Sequence, residues 1–313
     1  MSTLAAPYKE PSKALVIAAF AAVYILWGST YLAIFIALDD IPPFLLVSVR
    51  FLIAGLVLYA WCRFKGEPAP SLKSFATISL GGIILLFGGT GGLIWSEQYL
   101  PPGLAAIVVA TVPLWFVILD KYQWKYYFSN KLILFGLLIG FAGVVTLFIG
   151  KGSSAYATPG DGNKQLISII VLLFGSIFWA LGSLYSKYRK VEGSSSMKAS
   201  VQMMAAGLVS FIPAFALGEQ HHFAWNHLSS AAIASVLYLI IFGSLVGYIA
   251  YIWLLSVRPP SLVGTYAYVN PAVALLLSSL FGKELITGHK ILALVIILAG
   301  VIIVNLSKDK IKQ

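Results

Sequence analysis

The stretch ALVIAAFAAVYILWGSTYLAIFIAL, residues 14–38, contains no charged side chain. A helix needs about 20 apolar residues to cross a bilayer, so this stretch is long enough to cross it once. It is too long for the apolar region of a cleavable signal peptide, and it has no clear small-residue cleavage site. We therefore expect residues 14–38 to remain in the protein as a membrane-spanning helix.

The composition extends this interpretation to the whole chain, in which 59% of the 313 residues are hydrophobic and 10% are charged. A soluble domain carries roughly 25% charged residues, so most of this surface must face lipid. The single cysteine, Cys62, excludes an intramolecular disulfide and a thiolate metal cluster. The composition therefore predicts a polytopic membrane protein.

Ten apolar segments follow one another along the chain, each near the length that spans a bilayer. They are Ala14–Leu38, Pro43–Cys62, Phe75–Ser96, Pro102–Leu119, Leu132–Ile149, Leu166–Tyr185, Ala199–Leu217, Ala231–Leu255, Ser261–Gly282 and Ile291–Leu306. The shorter alternating segments of a membrane β-barrel are not seen, and helices are the other way to satisfy the backbone in lipid. We predict an all-α membrane protein with ten transmembrane helices.

The basic residues predict the orientation. With the N-terminus inside, the outer loops hold Lys151, Lys164, Lys283 and Lys290, Arg50 lies within a span, and the rest of the 21 lysines and arginines lie in cytoplasmic segments. The positive-inside rule then places both termini in the cytoplasm. The net charge of +10 is spread over short loops rather than clustered on one face, so nucleic acid is not an expected partner.

An internal repeat divides the chain into two halves. A shift of 152 residues places Trp27 on Trp179 and the Ala-Gly-Leu-Val of 54–57 on that of 206–209, and a shift of 158 places Gly89 on Gly247 and Pro113 on Pro271. Five helices per half is an odd number, so the second half must enter the membrane inverted. Inverted repeats recur in secondary transporters, with the substrate site near the midplane between the repeats.

We accordingly divide the chain into five parts. They are a cytoplasmic tail (1–13), a first five-helix repeat (14–149), an outer linker (150–165), a second five-helix repeat (166–306) and a second cytoplasmic tail (307–313). The two repeats are predicted to enclose a central cavity.

Polar and aromatic residues within the spans are the candidates for the cavity wall, because such side chains are costly at mid-depth in lipid. The candidates are Trp27, Tyr31, Arg50, Thr111, Trp179, Ser183, Tyr248, Tyr268 and Asn270. Helix packing is the alternative role for Trp27 and Tyr31. Arg50 is the one charge within the spans and marks a functional site by default. Snorkelling to the outer interface is its alternative.

Four further residues are candidates for helix breaks and gating: Pro113, Pro271, Gly89 and Gly247. Proline removes a backbone donor and frees a carbonyl one turn earlier, which permits bending or substrate contact. A fixed kink is the alternative for the prolines, and close helix approach is the alternative for the glycines.

Enzyme and metal chemistry have no candidate residues. The spans contain no His, Asp or Glu, and His221, His222, His227 and His289 fall in predicted outer loops. No phosphate-binding loop or zinc motif is found. We expect neither a catalytic site nor a metal or cofactor.

Several motifs together resemble the EamA family of the drug/metabolite transporter superfamily, over about residues 17–306. The motifs are Leu26–Tyr31, Val49–Phe51, Ala105–Leu114, Phe178–Tyr185, Thr265–Pro271, Phe281–Glu284 and Ala299–Gly300. In the first half the acidic position is Asp120 and an aromatic run follows it, which departs from the family pattern.

The resemblance implies a secondary transporter that exports small organic metabolites or drugs across the cytoplasmic (inner) membrane of a bacterium by alternating access. Amino acids and amphipathic or aromatic compounds are the implied substrates. A solute channel or facilitator is the alternative function. The expected partners are the small-molecule substrate and the lipid bilayer. Whether protons serve as a coupling ion, and whether two copies form a homodimer, stays open.

Overall fold

The computed structural model describes residues 11–100, 102–149, 162–280 and 287–306, and these residues form helices and short connections without a strand. The helices are α1 (Lys13–Leu38), α2 (Pro43–Phe64), α3 (Leu72–Ser96), α4 (Pro102–Val109), α5 (Val112–Leu119), α6 (Trp124–Ser129), α7 (Lys131–Ile149), α8 (Gly162–Tyr188), α9 (Ser195–Ala216), α10 (Glu219–His222), α11 (Ser230–Val257), α12 (Pro260–Val263), α13 (Tyr266–Leu280) and α14 (Gly288–Leu306). The all-α prediction is confirmed for the described residues.

Seven of the described helices are long and apolar enough to cross a membrane: α1, α2, α3, α8, α9, α11 and α14. An eighth span results if the pair Ile107–Leu119 and Lys121–Ser129, bent by 65°, is counted as one. The fourth predicted segment is interrupted at Ala110 and Thr111, where Pro113 follows without a backbone donor. The ninth is divided at Gly264 and Thr265. Ten spans therefore stay a prediction.

Serine side chains cap four of the helices at their N-termini. Ser12, Ser71, Ser194 and Ser229 each accept a hydrogen bond from the backbone N–H three residues ahead. Such caps satisfy a donor that the helix itself leaves free. They explain why these helices begin at residues 13, 72, 195 and 230.

The two halves meet through two antiparallel helix pairs, α2 with α9 and α7 with α14. Gly55 faces Ser200 and Met204, while Gly207 faces Ser48 and Leu52. A Cβ at either glycine would lie within 3.0 Å of the partner backbone, so the helices approach closely only because both residues lack one. Each helix thus packs against its own repeat counterpart running in the opposite direction.

In the remaining contacts, helices of one half pack against helices of the other half, an arrangement that we call helix exchange. Helix α1 of the first half packs on α11 and α13 of the second, and α8 of the second half packs on α3, α4 and α5 of the first. Large apolar side chains such as Ile17, Trp61 and Ile212 stay more than half exposed around the bundle. We call the end where α1 begins the proximal end and the end where α1 finishes the distal end.

Candidate functional site

A cavity lies between the halves, in the middle and distal part of the bundle, and its empty space of about 680 Å³ includes a part that is open to solvent. It is lined by Trp27, Thr30, Tyr31, Ile34, Arg50, Phe51, Leu86, Gly89, Thr90, Leu93, Val109, Val112, Leu172, Gly175, Ser176, Trp179, Gly243, Tyr248, Tyr266 and Asn270. The wall is mostly aromatic and apolar, with a few polar groups that converge on it.

Helix α1 contributes one continuous face to the cavity. Trp27, Thr30, Tyr31 and Ile34 follow one another at spacings of three, one and three residues, which places them on one side of a helix. Trp27 and Tyr31 are each 8% exposed, and what exposure they have is toward the cavity that they line. The face explains why an apolar helix carries this polar and aromatic stripe.

Four rings close the cavity on its proximal side, and we call Trp27, Trp179, Tyr251 and Tyr266 the aromatic cluster. The ring centroid of Trp27 lies 5.4 Å from that of Trp179, 5.0 Å from that of Tyr251 and 4.9 Å from that of Tyr266. Tyr251 lies one turn beyond the cavity-lining Tyr248 toward the proximal end. Edge-to-face ring contacts of this kind add to the stability that burial itself provides.

Hydrogen bonds hold the two indoles of the cluster in place. The Trp27 indole N–H donates to the Gly243 carbonyl at 2.9 Å, and the Trp179 indole N–H donates to the Tyr251 hydroxyl at 2.9 Å. The Tyr251 hydroxyl also lies 2.6 Å from Ser183 Oγ. Every buried N–H of these two rings is therefore satisfied without a ligand.

Each indole packs on a glycine of the opposite half. A Cβ at Gly247 would lie 2.6 Å from Trp27 Nε1, and a Cβ at Gly89 would lie 2.9 Å from Trp179 Cε3. Neither position has room for a larger residue. The repeat pairs Trp27/Trp179 and Gly89/Gly247 are thus two copies of the same contact across the interface of the halves.

The glycines lie in π-helical turns within the longer helices. Ile83–Gly91 in α3 and Leu239–Tyr248 in α11 are both π-helical. With the shift of 158 residues these turns occupy equivalent positions in the two halves. π-Helical turns are rare and are found mostly at functional sites, and here both adjoin the cavity.

Arg50 lines the cavity from α2 and is 5% exposed. Its Nε–H donates to Ser244 Oγ at 2.9 Å, and its guanidinium carbon lies 5.0 Å from the Phe51 ring centroid. The two carboxylate oxygens of Glu97, just beyond the end of α3, are buried and accept no hydrogen bond from any described group. Arg50 is therefore held by a hydroxyl, not by a carboxylate, in the described part of the chain.

Gln202, the counterpart of Arg50 in the second half, lies on α9 outside the cavity lining. Its Oε1 accepts a hydrogen bond from the Tyr248 hydroxyl at 2.8 Å, and its Nε2 donates to Ser186 Oγ at 2.7 Å. The Asn270 amide, in the orientation its neighbours favour, donates to the backbone oxygens of Tyr24 at 3.2 Å and Tyr266 at 3.0 Å. It therefore joins α1 to α13.

A second polar network lies nearer the proximal end. Asp120 accepts hydrogen bonds from Tyr127 at 2.9 Å and from Tyr188 at 2.7 Å. Burial raises the pKa of the Asp120 carboxyl, and the two tyrosine hydroxyls act in the opposite direction. Lys187 Nζ donates to the backbone oxygens of Leu255 and Arg258. This network ties the end of α5 to the ends of α8 and α11.

The predicted site residues divide into two groups. Trp27, Tyr31, Arg50, Trp179, Tyr248, Asn270 and Gly89 line the cavity. Thr111 lies outside it and donates to the Val108 carbonyl. Ser183 lies beyond the aromatic cluster. Tyr268 packs on Gly140 of α7 and donates to the Leu137 carbonyl.

The predicted helix breaks also differ from one another. Pro113 is the second residue of α5, directly after the interruption between α4 and α5. Pro271 lies inside α13, which continues through it. Gly247 touches Trp27 from outside the cavity lining. Their roles in gating stay predictions.

Several lining residues were not among the predicted site residues. Thr30, Thr90, Gly175, Ser176 and Tyr266 are examples. The internal repeat could have identified two of these residues from the sequence. Thr90 is the repeat counterpart of Tyr248, and Ser176 is that of Tyr24. The π-helical turns had no comparable signal, since their sequences are ordinary apolar runs with glycine.

Among the residues that the structure describes, no group of three or more His, Cys, Asp or Glu side chains could hold a metal ion. Glu284 and the sequence around it lie outside the described residues. The chemistry available at the site is therefore recognition by aromatic rings, hydroxyls, an amide and one guanidinium.

The model of the EamA-like transporter family matches residues 14–149 and 166–306. The chain is 37% identical over 289 residues to the uncharacterized inner membrane transporter YedA of Escherichia coli strain K12, covering 92% of this chain and 89% of the relative. It is 26% identical over 287 residues to the uncharacterized transporter YvbV of Bacillus subtilis strain 168, covering 90% and 88%.

A solved crystal structure shares the fold, with a TM-score of 0.75 over 96% of this chain and 100% of that one at 19% identity. The family match covers most of the chain in two parts, and the relative at 37% identity spans nearly its full length. The chain belongs to the EamA-like transporter family and is a membrane transporter.

Proposed function

We propose that the protein is a secondary transporter that exports small organic metabolites or drugs by alternating access. The observation that carries this proposal is the cavity between the halves, closed on one side by the aromatic cluster. The proposed domains are the two five-helix repeats, 14–149 and 166–306, in inverted orientation. The antiparallel packing of α2 on α9 and α7 on α14 supports that inversion.

The packing of helices from each half against the other half supports alternating access. An inverted repeat can adopt either of two conformations, related by the pseudo-two-fold axis in the membrane plane, when one half repacks against the other. Helices α1 and α8 make equivalent contacts with the opposite half, so a small rotation of each would open one end and close the other. The Asp120 network and the aromatic cluster are then the closed gate.

The distribution of lysine and arginine supports cytoplasmic termini, which makes the proximal end the cytoplasmic end. The cavity lies on the outer side of the aromatic cluster, so this conformation directs its site outward. Net export would require the cluster and the Asp120 network to separate, admitting solute from the cytoplasm.

The cavity wall supports amphipathic or aromatic solutes, amino acids among them. Trp27, Tyr31, Trp179 and Tyr266 offer ring faces, while Arg50 and the Tyr248 hydroxyl offer polar contacts. Such a wall binds an apolar group by burial and orients it through a few hydrogen bonds.

Counterflow in proteoliposomes tests the proposal. Vesicles containing the purified protein and loaded with a metabolite mixture should take up a labelled member of that mixture transiently and saturably. Trp27→Ala should slow counterflow at least tenfold, because the ring both lines the cavity and closes it. Trp61→Ala, a change of the same size on the exposed side of α2, should leave the rate within twofold.

A channel would give a different result with the same vesicles. Unitary currents, or flux that does not saturate and shows no counterflow, would contradict alternating access and favour a pore. A loss of counterflow in Trp61→Ala equal to that in Trp27→Ala would contradict the cavity as the site.

A further inference from the structure

Arg50 gives the described lining of the cavity a positive charge. Among its described lining side chains Arg50 is the one that carries a charge, and no carboxylate is among them. Glu97 lies near Arg50, but it does not line the cavity and its oxygens contact no described donor. A solute in the cavity therefore contacts one guanidinium and, among the described lining side chains, no carboxylate.

The Arg50 guanidinium is held through Nε, and its terminal nitrogens donate to no group in the part of the chain that the structure describes. Nε is engaged by Ser244 on α11, which sets the orientation of the guanidinium plane. Nη2 lies beside Gly243, where an added Cβ would come within 2.7 Å of it. Because glycine occupies that position, no side chain covers the guanidinium there. A planar fork with free N–H groups is the geometry that binds a carboxylate through two hydrogen bonds.

The aromatic part of the cavity wall suits an apolar ring. Trp27, Trp179 and Tyr266 are already paired with protein groups or with one another, so their faces offer apolar contact rather than unsatisfied donors. An aromatic ring gains from stacking on such faces as well as from burial. The guanidinium and the ring faces thus suit different parts of one molecule.

We propose that the site takes organic monoanions, in which a carboxylate binds Arg50 and an aromatic or apolar body packs toward the aromatic cluster. This inference rests on the proposed transport function. A buried guanidinium is costly without an anion, so the solute that neutralises it is the one that the cavity stabilises.

The charge of the solute also supplies the driving force. A bacterial cytoplasm is electrically negative, so the membrane potential drives a monoanion outward. Each 100 mV supports a concentration ratio of about 50-fold for a single charge. Export of a monoanion as a uniport therefore needs neither a coupling proton nor a titrating carboxylate in the cavity.

Three probes of nearly equal size test the inference in proteoliposomes: 3-phenylpropanoate, its neutral amide and zwitterionic phenylalanine. Wild-type protein should catalyse 3-phenylpropanoate counterflow at least tenfold faster than that of either other probe. A potassium diffusion potential, negative inside and set with valinomycin, should accelerate efflux of the anion, while a pH gradient imposed with both sides below about pH 7, where Glu97 stays neutral, should not.

Arg50→Gln installs the residue found at the equivalent position of the second half and should slow anion counterflow at least 30-fold. Arg63→Gln, on the exposed proximal end of the same helix, is the matched loss of charge and should have no effect. Competition by unlabelled anion, amide and zwitterion against wild-type protein gives the same selectivity without a variant, should Arg50→Gln fail to fold.

Other outcomes would overturn the inference. Equal or faster counterflow of the amide or of phenylalanine, or anion flux that follows the pH gradient and ignores the voltage, would contradict an anion uniport. Absence of 3-phenylpropanoate counterflow would also overturn it. The proposed function would fail separately, through the absence of counterflow with the metabolite mixture.

Discussion

The two halves place the same tryptophan in two different environments. Trp27 donates to a backbone carbonyl at Gly243, whereas its counterpart Trp179 donates to a side chain, the Tyr251 hydroxyl. The residue equivalent to Tyr251 in the first half is Leu93, which lines the cavity. The two indoles are the same, but their hydrogen-bond acceptors differ: a backbone carbonyl of the opposite half for Trp27 and a tyrosine hydroxyl of a neighbouring helix for Trp179.

Larger side chains in the second half than in the first are found at other equivalent positions around the cavity. The tyrosines at 248, 251 and 266 correspond to Thr90, Leu93 and Val108 of the first half. The first half therefore presents smaller side chains at the distal end than the second half presents at the proximal end. Side-chain volume at equivalent positions therefore differs between the two halves, with the larger side chains in the second half.

The largest effect is expected from removing the glycines on which the indoles pack. Gly247→Ala and Gly89→Ala should each lower the free energy of unfolding by about 1–3 kcal/mol and abolish counterflow, because each new methyl would overlap an indole. Gly91→Ala is the control, since its Cβ would meet nothing closer than 3.7 Å. Thermal stability in detergent and counterflow measure both effects. Equal stability of all three variants would contradict the packing described here.

The next largest effect is expected on access to the cavity from the proximal and distal ends. Tyr251→Leu should open the proximal side, because it removes the ring that packs on both indoles and leaves the residue found at Leu93. A Thr90→Cys probe in a Cys62→Ser background should then react with an impermeant maleimide from the proximal side at least tenfold faster. Leu93→Tyr should slow the reaction from the distal side. An unchanged sidedness in both variants would show that these positions do not control access.

These comparisons show how much the sequence could predict. Apolar length and the repeat predicted the helical class, and the pairs Trp27/Trp179 and Gly89/Gly247 predicted which residues correspond. They could not predict that each tryptophan packs on the glycine of the opposite half, because that contact depends on helix exchange. Tyr268 had the polar-aromatic signature of a cavity residue, but it packs on Gly140 in the interface with α7.

The contrast between Arg50 and Gln202 leads to a pH prediction. Gln202 is fully paired with neutral groups, whereas Arg50 lies near Glu97, whose carboxyl has its pKa raised by burial to about 8, against the opposing effect of Arg50. Tyr31 of α1 also lies close enough to Glu97 to interact with its charge. Glu97 is therefore neutral below pH 8 and ionised above it.

Ionised Glu97 would compete with a bound anion for the charge of Arg50. The KM for anion counterflow should rise about three- to tenfold between pH 7 and pH 9 in wild-type protein, and Glu97→Gln should show no such rise. Initial rates over this pH range provide the measurement. A rise of equal size in Glu97→Gln would assign the titration to another group.

The smallest effect is expected at two equivalent helix caps. Glu219 accepts hydrogen bonds from the N–H groups of Phe44 and Leu45 at the start of α2, and its counterpart Glu67 accepts from the N–H and hydroxyl of Ser194 at the start of α9. Glu219→Gln should cost about 1 kcal/mol, and Glu67→Gln less, because Glu67 is more exposed. Thermal melts in detergent would reveal the order, and a larger loss in Glu67→Gln would contradict it.

The paired π-helical turns have a mechanical consequence. A π-turn holds one more residue than an α-turn, so each of these two helices carries a spare residue at the level of the cavity. Moving that spare residue along the helix by one position would swing the side chains it passes by about 100° around the axis while leaving both helix ends where they are. With one such π-helical turn in each half, the side chains that line the cavity would reorient without any movement of the loops.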